Sequence, residues 1–187
     1  MSEGLLLHVC CATCAICALE RLRPLFSRVT CFFYNPNIHP QAEFQKRLRA
    51  VEVLAERLRD PAVDWIFERE YGLVPFLRAV VRREDDRCRI CYSMRLGTAA
   101  KTAGRLGLPA FSTTLSTSPY QDHALLRRAG ARAARLFGVK FVYHDLREFL
   151  PAAAAKAKKM SLYRQRYCGC VYSERRREVG AKKKRLS

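Results

Sequence analysis

A chain of 187 residues, 49% of them hydrophobic, is long enough for one compact domain and too apolar for wholesale disorder. Thirty-five Lys and Arg against 17 Asp and Glu give a formal net charge of +18, which repels itself on folding and suits a polyanionic partner such as nucleic acid. No run of about 18 apolar residues argues for a membrane span, and the first apolar run has neither the basic flank nor the small-residue cleavage site of an export signal.

Residues 4–9 are apolar throughout and read as a central parallel strand. The run stops on Cys10 and Cys11, and Cys14 and Cys17 follow at helical spacing on a helix over 13–22 that ends before Pro24. Residues 28–34 (RVTCFFY) are β-branched and aromatic, a second strand. Asn35-Pro36-Asn37 is turn chemistry, and Pro40 suits the first turn of a helix over 41–58. Phe44, Leu48, Val51 and Leu54 or Ala55 share the apolar face of that helix; Lys46, Arg47, Arg49, Arg57 and Arg59 are assigned to the other.

A strand at 63–67 and a helix at 72–81 lead to a charged loop, 82–87, with Glu84, Asp85 and Asp86. Cys88 and Cys91 open a helix reaching about residue 106. A strand at 110–115, an Arg-rich helix at 120–136, a fifth strand at 139–144 and an Ala/Lys-rich helix at 152–159 follow. The end carries YRQRYCGCVYS and then a basic tail, about 174–187, with the run Lys182, Lys183, Lys184 and Arg185. Strands alternating with helices about five times predict a single α/β domain over 1–187, a doubly wound parallel sheet of about five strands with helices on both faces. Right-handed crossovers place the loops after strands one and four on one rim, where ligands gather in such sheets.

Nine cysteines without an export signal are expected in a reducing cytoplasm, where clustered thiols mean metal or redox chemistry rather than a disulfide framework. Adjacent Cys10 and Cys11 point to opposite faces of a continuing strand and share a centre only where the backbone turns. Cys88-x-x-Cys91 is the common spacing for two ligands of one metal or cluster, at a helix start that favours thiolate. Together these are four thiolates, enough for an all-cysteine site of zinc or an iron–sulfur cluster. Cys168-Gly169-Cys170 can form a small strained disulfide or clip one metal. Cys17 and Cys31 read as small core hydrophobes, and His8 as a core histidine or a support to the site. A Walker loop, a G-x-G-x-x-G after strand one and the Ser-Gly-Gly-type loop of ATP pyrophosphatases are all lacking, which disfavours ATP use.

LLLHVCCATC resembles the LLLHVCCAPC opening of the QueH-type epoxyqueuosine reductases, and FFYNPNIHP, RCRICYSMRLGTAA, FSTTLSTSPYQDH and YRQRYCGCVYS resemble four further blocks of that family in the same order. The resemblance spans about 5–173. It implies a Rossmann-like fold related to the ATP pyrophosphatase and universal-stress-protein group, and the last step of queuosine synthesis: removal of the epoxide oxygen from epoxyqueuosine at the wobble position of tRNA. It further implies that Cys10, Cys11, Cys88 and Cys91 hold a [4Fe-4S] cluster, and that Cys168 and Cys170 are either a redox-active disulfide or ligands of an additional mononuclear iron. Thr13 stands where the family commonly has Pro, and Cys14 lies where it can supply an extra ligand.

Converting an epoxide to an alkene takes two electrons and two protons and releases water, so an external carrier of the ferredoxin or flavodoxin kind is expected as donor. Asp85, Asp86, His39 and Tyr167 are proton-donor candidates by nearness to the motifs, with Asp86 put first. Arg47, Arg128, Arg164, Arg166 and the 182–185 run are candidate phosphate contacts, with Arg49, Arg127 and Arg132 beside them. Tyr34, Asn35 and Tyr120 are candidates for the modified base, with Tyr172 a further stacking aromatic. Two other readings stand against this one. A tRNA sulfur-transfer enzyme would need the absent phosphate loop, and a zinc-stabilised nucleic-acid-binding protein has no use for the Cys-Gly-Cys.

Overall fold

The computed structural model describes residues 4–174. Five short strands, β1 (Leu5–Val9), β2 (Val29–Phe33), β3 (Val63–Phe67), β4 (Ala110–Thr113) and β5 (Lys140–Phe141), form one sheet in the order β3-β2-β1-β4-β5. Every pairing is parallel. β1 and β2 are buried at all five positions, as strands covered on both faces must be. The α-helices are α1 (Ala12–Leu22), α2 (Gln41–Leu58), α3 (Leu73–Val80), α4 (Arg87–Arg105), α5 (His123–Phe137) and α6 (Leu150–Lys159). Alternation along the central strands sorts the two cores: Leu5, Leu7 and Val9 pack with α1, α2 and α6, while Leu6 and Phe111 pack with α4 and α5. This is the doubly wound, Rossmann-like α/β architecture that the pattern predicts. Among the described residues no helix is long and apolar enough to cross a membrane.

The chain runs from β1 outward to β3 and then returns to place β4 on the other side of β1. The order therefore reverses between β1 and β4, and the crevice beyond their carboxyl ends is the topological switch point. The departures from the expected boundaries have local causes. β4 stops at Thr113 because that hydroxyl accepts the N–H of Leu115, 3.1 Å away, and starts a 3₁₀ turn at Thr114–Thr117. α5 starts at His123, not near 120, because the Asp122 carboxylate caps it by accepting the Leu125 N–H at 2.8 Å. β5 shrinks to two residues at the sheet edge, where a single neighbour supplies its ladder. Pro40 precedes α2 as its N-cap rather than lying in the first turn.

A candidate metal centre at the switch point

β1 ends at Val9, and the turn that follows carries Cys10 and Cys11 into α1. Cys11 is extended (φ −169°, ψ 165°) and caps the helix: its Sγ accepts the backbone N–H of Cys14 at 3.4 Å. The turn brings the two neighbouring sulfurs to the same side, 3.9 Å apart. One helical turn on, Cys14 adds a third, and the three Sγ atoms all lie within 4.8 Å of one another, buried. The 3₁₀ turn after β4 meets them from the neighbouring strand. Thr114 Oγ1 accepts the Cys10 N–H at 3.0 Å and donates to Cys10 Sγ at 3.2 Å. From the far end of the chain, Gln165 Nε2 donates to Cys11 Sγ at 2.9 Å.

Electrostatics make this a donor set. Hydrogen bonds shared with Cys11 and Cys14 hold Cys10 well below the usual thiol range, with the Arg95 guanidinium and the Thr114 hydroxyl acting the same way. The same sharing with Cys10, chiefly, pushes Cys11 up to about 12, and sharing with Cys10 and Cys11 pushes Cys14 well above its usual value. Three negative sulfurs this close cannot all ionise together without a cation. A thiophilic metal supplies that cation and releases the protons. The residues fit a metal-binding role on the chemistry of the donors themselves.

Cys88 and Cys91 lie in the first two turns of α4, outside this trio. Cys88 is exposed and Cys91 half-buried, and burial pushes the Cys91 thiol up to about 11. Both feel the charge of Cys168. Cys170 is buried against Phe76, Val80 and Ile90 and pushed up to about 12 by that burial. All nine cysteines are free thiols. α4 and the C-terminal segment therefore carry a second thiol group, in which the charge of Cys168 acts to raise Cys88, Cys91 and Cys170.

The Cys-Gly-Cys loop is clamped to α2. Arg47 Nη1 and Nη2 donate to the carbonyls of Cys168 (3.1 Å) and Tyr167 (2.9 Å), while Nε donates to Glu43 Oε1 at 2.7 Å. The Tyr163 hydroxyl donates to the other Glu43 oxygen, and the Tyr167 hydroxyl to the His39 carbonyl. Gly169 at φ +105° completes the clamp, because a Cβ there would lie 2.9 Å from Ile38 Cγ1 and 3.2 Å from Arg47 Nη1. Gly169→Ala is expected to cost about 1–3 kcal/mol from backbone strain alone, seen as a lower unfolding midpoint; an unchanged midpoint would mean the loop is not held as described.

Several expected site residues fall elsewhere. Arg47 is buried, 2% exposed, and engaged by Glu43 and two carbonyls, so it is a clamp and not a phosphate contact. Asn35 is 2% exposed and fully used, Nδ2 donating to the Val9 carbonyl (2.9 Å) and Oδ1 accepting from Arg95 (2.6 Å); it holds the strand ends rather than facing a base. Asp86 is exposed and paired with Arg89, whose hydrogen bonds hold the carboxyl below its usual range, so it is ionised and a poor proton donor. Arg128, Arg164 and Arg166 are exposed. Tyr120 is 91% exposed, and Tyr34 is half-buried, stacked on Phe32. The 182–185 run lies outside the described residues. His39 is buried against Tyr71 and Phe76, both ring nitrogens lack a partner among the described residues, and burial lowers its pKa.

Sequence patterns do not single out Arg95, Thr114 or Gln165. Arg95 carried one signal, its place one helical turn after Cys91. Cys17 and Cys31 are core residues. His8 lies under the site, Nδ1 2.9 Å from Thr113 Oγ1 and Nε2 within 3.3 Å of Arg95 Nε, and burial first, then Arg95, lower its pKa to about 3.

A family profile described as "Epoxyqueuosine reductase QueH" matches residues 5–176. A protein of Dehalococcoides mccartyi named epoxyqueuosine reductase QueH is 39% identical over 174 residues, covering 93% of this chain and 94% of its own. Proteins of the same name from Thermotoga maritima (32% identical, 90% of this chain and 88% of that one) and Streptococcus pyogenes (30%, 91% and 70%) align over most of both chains.

Proposed function

Because this chain belongs to the epoxyqueuosine reductase QueH family, we propose that it reduces epoxyqueuosine to queuosine at the wobble position of tRNA. Two electrons and two protons enter, both epoxide C–O bonds break, and an alkene and water leave. The observation that carries the reading is the trio Cys10, Cys11 and Cys14 at the switch point, within the region the family profile matches.

The proposed holders of a [4Fe-4S] cluster are Cys10, Cys11, Cys88 and Cys91. Cys14 is a further donor, favoured by its place in the trio. When bound, such a cluster supplies electrons one at a time. Cys168 and Cys170 then serve as a dithiol/disulfide pair or as ligands of an additional iron, on a loop whose path Arg47 and Gly169 set. Thr114 and Gln165, by hydrogen-bonding the sulfurs of Cys10 and Cys11, orient these donors and disperse their charge. Electrons come from an external one-electron carrier, and a tRNA substrate puts the work in the cytoplasm.

The test is iron, acid-labile sulfide and a visible spectrum on protein purified without oxygen, followed by turnover of tRNA carrying epoxyqueuosine. About four iron and four sulfide per chain with turnover is the expected result; colourless, zinc-loaded protein that cannot be reconstituted would move the reading to a non-catalytic binding module. Iron content in Cys88→Ala and Cys14→Ala separates the two donor sets, since the variant that keeps its iron lies outside the cluster.

The tRNA is held through phosphates by exposed arginines, Arg128, Arg164 and Arg166 among them. Affinity is expected to fall linearly with salt on logarithmic axes, and Arg164→Ala to lower the slope by about 1. An affinity indifferent to salt would sink this electrostatic account.

A further inference from the structure

Among the described residues two arginines are buried, and they are treated differently. Arg47, 2% exposed, has the Glu43 carboxylate 2.7 Å away. Arg95, 3% exposed on α4, has no carboxylate partner among the described residues. Its Nη2 donates to Asn35 Oδ1 at 2.6 Å, its Nε faces His8 Nε2 at 3.3 Å, and its Nη1 lies 3.9 Å from Cys91 Sγ. Neither Asn35 nor His8 can supply a negative charge. A buried guanidinium without a counter-ion is costly even after the surroundings relax. Asn35 accepts one of its hydrogens, and His8 Nε2, which also lies 3.0 Å from the Tyr34 carbonyl oxygen, faces another; neither offsets its charge. The groups nearby that can carry negative charge are sulfurs: Cys91 beside Nη1, and Cys10, two residues beyond His8 at the end of β1.

We propose that Arg95 is the built-in countercharge of the cysteine-ligated centre, a positioning and redox-tuning residue that offsets the negative charge of the Cys10 and Cys91 thiolates and so eases electron uptake there. The proposal rests on the metal-centre reading above. Each electron accepted adds a negative charge to a centre already rich in thiolate. A fixed positive charge a few ångströms away, itself buried, stabilises the reduced form more than the oxidised one. The guanidinium is held for this by side chains that bring no negative charge: Asn35, itself fixed to the end of β1 through the Val9 carbonyl, and His8, held between Thr113 and the Tyr34 carbonyl. Such supports leave the charge undiminished, where a carboxylate at either position would cancel it. Arg95 thereby ties α4, which carries Cys88 and Cys91, to the strand end that carries Cys10 and Cys11.

The test compares wild type, Arg95→Gln, Arg95→Lys and Asn35→Asp, each purified and reconstituted with iron and sulfide without oxygen. The readouts are the midpoint potential from a spectroscopic redox titration, the metal content, and the unfolding midpoints of loaded and metal-free protein. Arg95→Gln is expected to lower the potential by the equivalent of about tenfold or more in the reduction equilibrium, and Arg95→Lys to restore most of it. Asn35→Asp, which keeps the arginine but sets a carboxylate against it, is expected to shift the potential the same way, so the proposal stays testable if Arg95→Gln does not fold. Metal-free Arg95→Gln is expected to be at least as stable as wild type, because an unpaired buried cation is gone, while the loaded form loses stability.

Potentials unchanged in Arg95→Gln and Asn35→Asp, or a shift in Arg95→Gln that Arg95→Lys fails to reverse, would overturn the countercharge. A wild-type protein that takes up no redox-active metal would instead overturn the proposed function, and the countercharge with it.

Discussion

Arg47→Met is expected to destabilise the protein by about 3–5 kcal/mol, the cost of breaking a buried ion pair from one side. The change leaves the Glu43 carboxylate buried with the Tyr163 hydroxyl as its remaining side-chain donor and its cation gone, and it strips the Arg47 donors from the Tyr167 and Cys168 carbonyls. Arg47→Lys is not a repair, because one ammonium cannot reach Glu43 and span two successive carbonyls as the planar guanidinium does. Glu43→Leu combined with Arg47→Met should recover part of the loss, since no charge is then stranded. Urea unfolding reads the stability, and the rate of iodoacetamide labelling at Cys170, buried in wild type, reads the loosening of the loop. A wild-type unfolding midpoint in Arg47→Met would show that the clamp contributes nothing.

Cys11→Ala is expected to cost the protein its metal and more than about a hundredfold in turnover, beyond what loss of a supporting partner costs. Cys11 performs two tasks that two substitutions separate. Its sulfur belongs to the trio, and it also caps α1 by accepting the Cys14 N–H. Alanine removes both, adding a stability loss of about 1 kcal/mol for the missing cap. Serine keeps a cap and removes the soft thiolate, so Cys11→Ser should unfold near the wild-type midpoint in the metal-free state and still fail to hold metal. Metal analysis after anaerobic reconstitution, beside metal-free thermal unfolding, distinguishes the two tasks. Retention of metal and turnover in both variants would reduce Cys11 to a helix cap.

Local pattern made much of this protein legible. The apolar run at residues 5–9 is a buried central strand because both of its faces are covered. The alternation of strands and helices is the doubly wound sheet, and a turn after a parallel strand explains how Cys10 and Cys11 come to face one centre. These features depend on periodicity and on the few residues at a strand end, which the chain carries within a dozen positions. The edges were less legible: β5 is short because the sheet ends there, and α5 starts at His123 because Asp122 caps it.

The amino-acid sequence by itself determined the fold class, the thiol-rich opening and the family to which the chain belongs. Only the tertiary structure decided which of the polar side chains are exposed and which are buried. On α2, helical spacing placed Arg47 with the solvated basic residues, but Tyr167 and Cys168, 120 and 121 positions away, close over it and demand a donor for their carbonyls. Asn35 looked like a turn residue open to substrate until the end of β1 and Arg95 took both ends of its amide. Cys14 joins Cys10 and Cys11 because the cap at Cys11 sets the phase of α1, whereas Cys88 stays at the surface of α4. A buried polar group must find its partners wherever the chain brings them, and contacts across more than a hundred residues leave no periodicity to read.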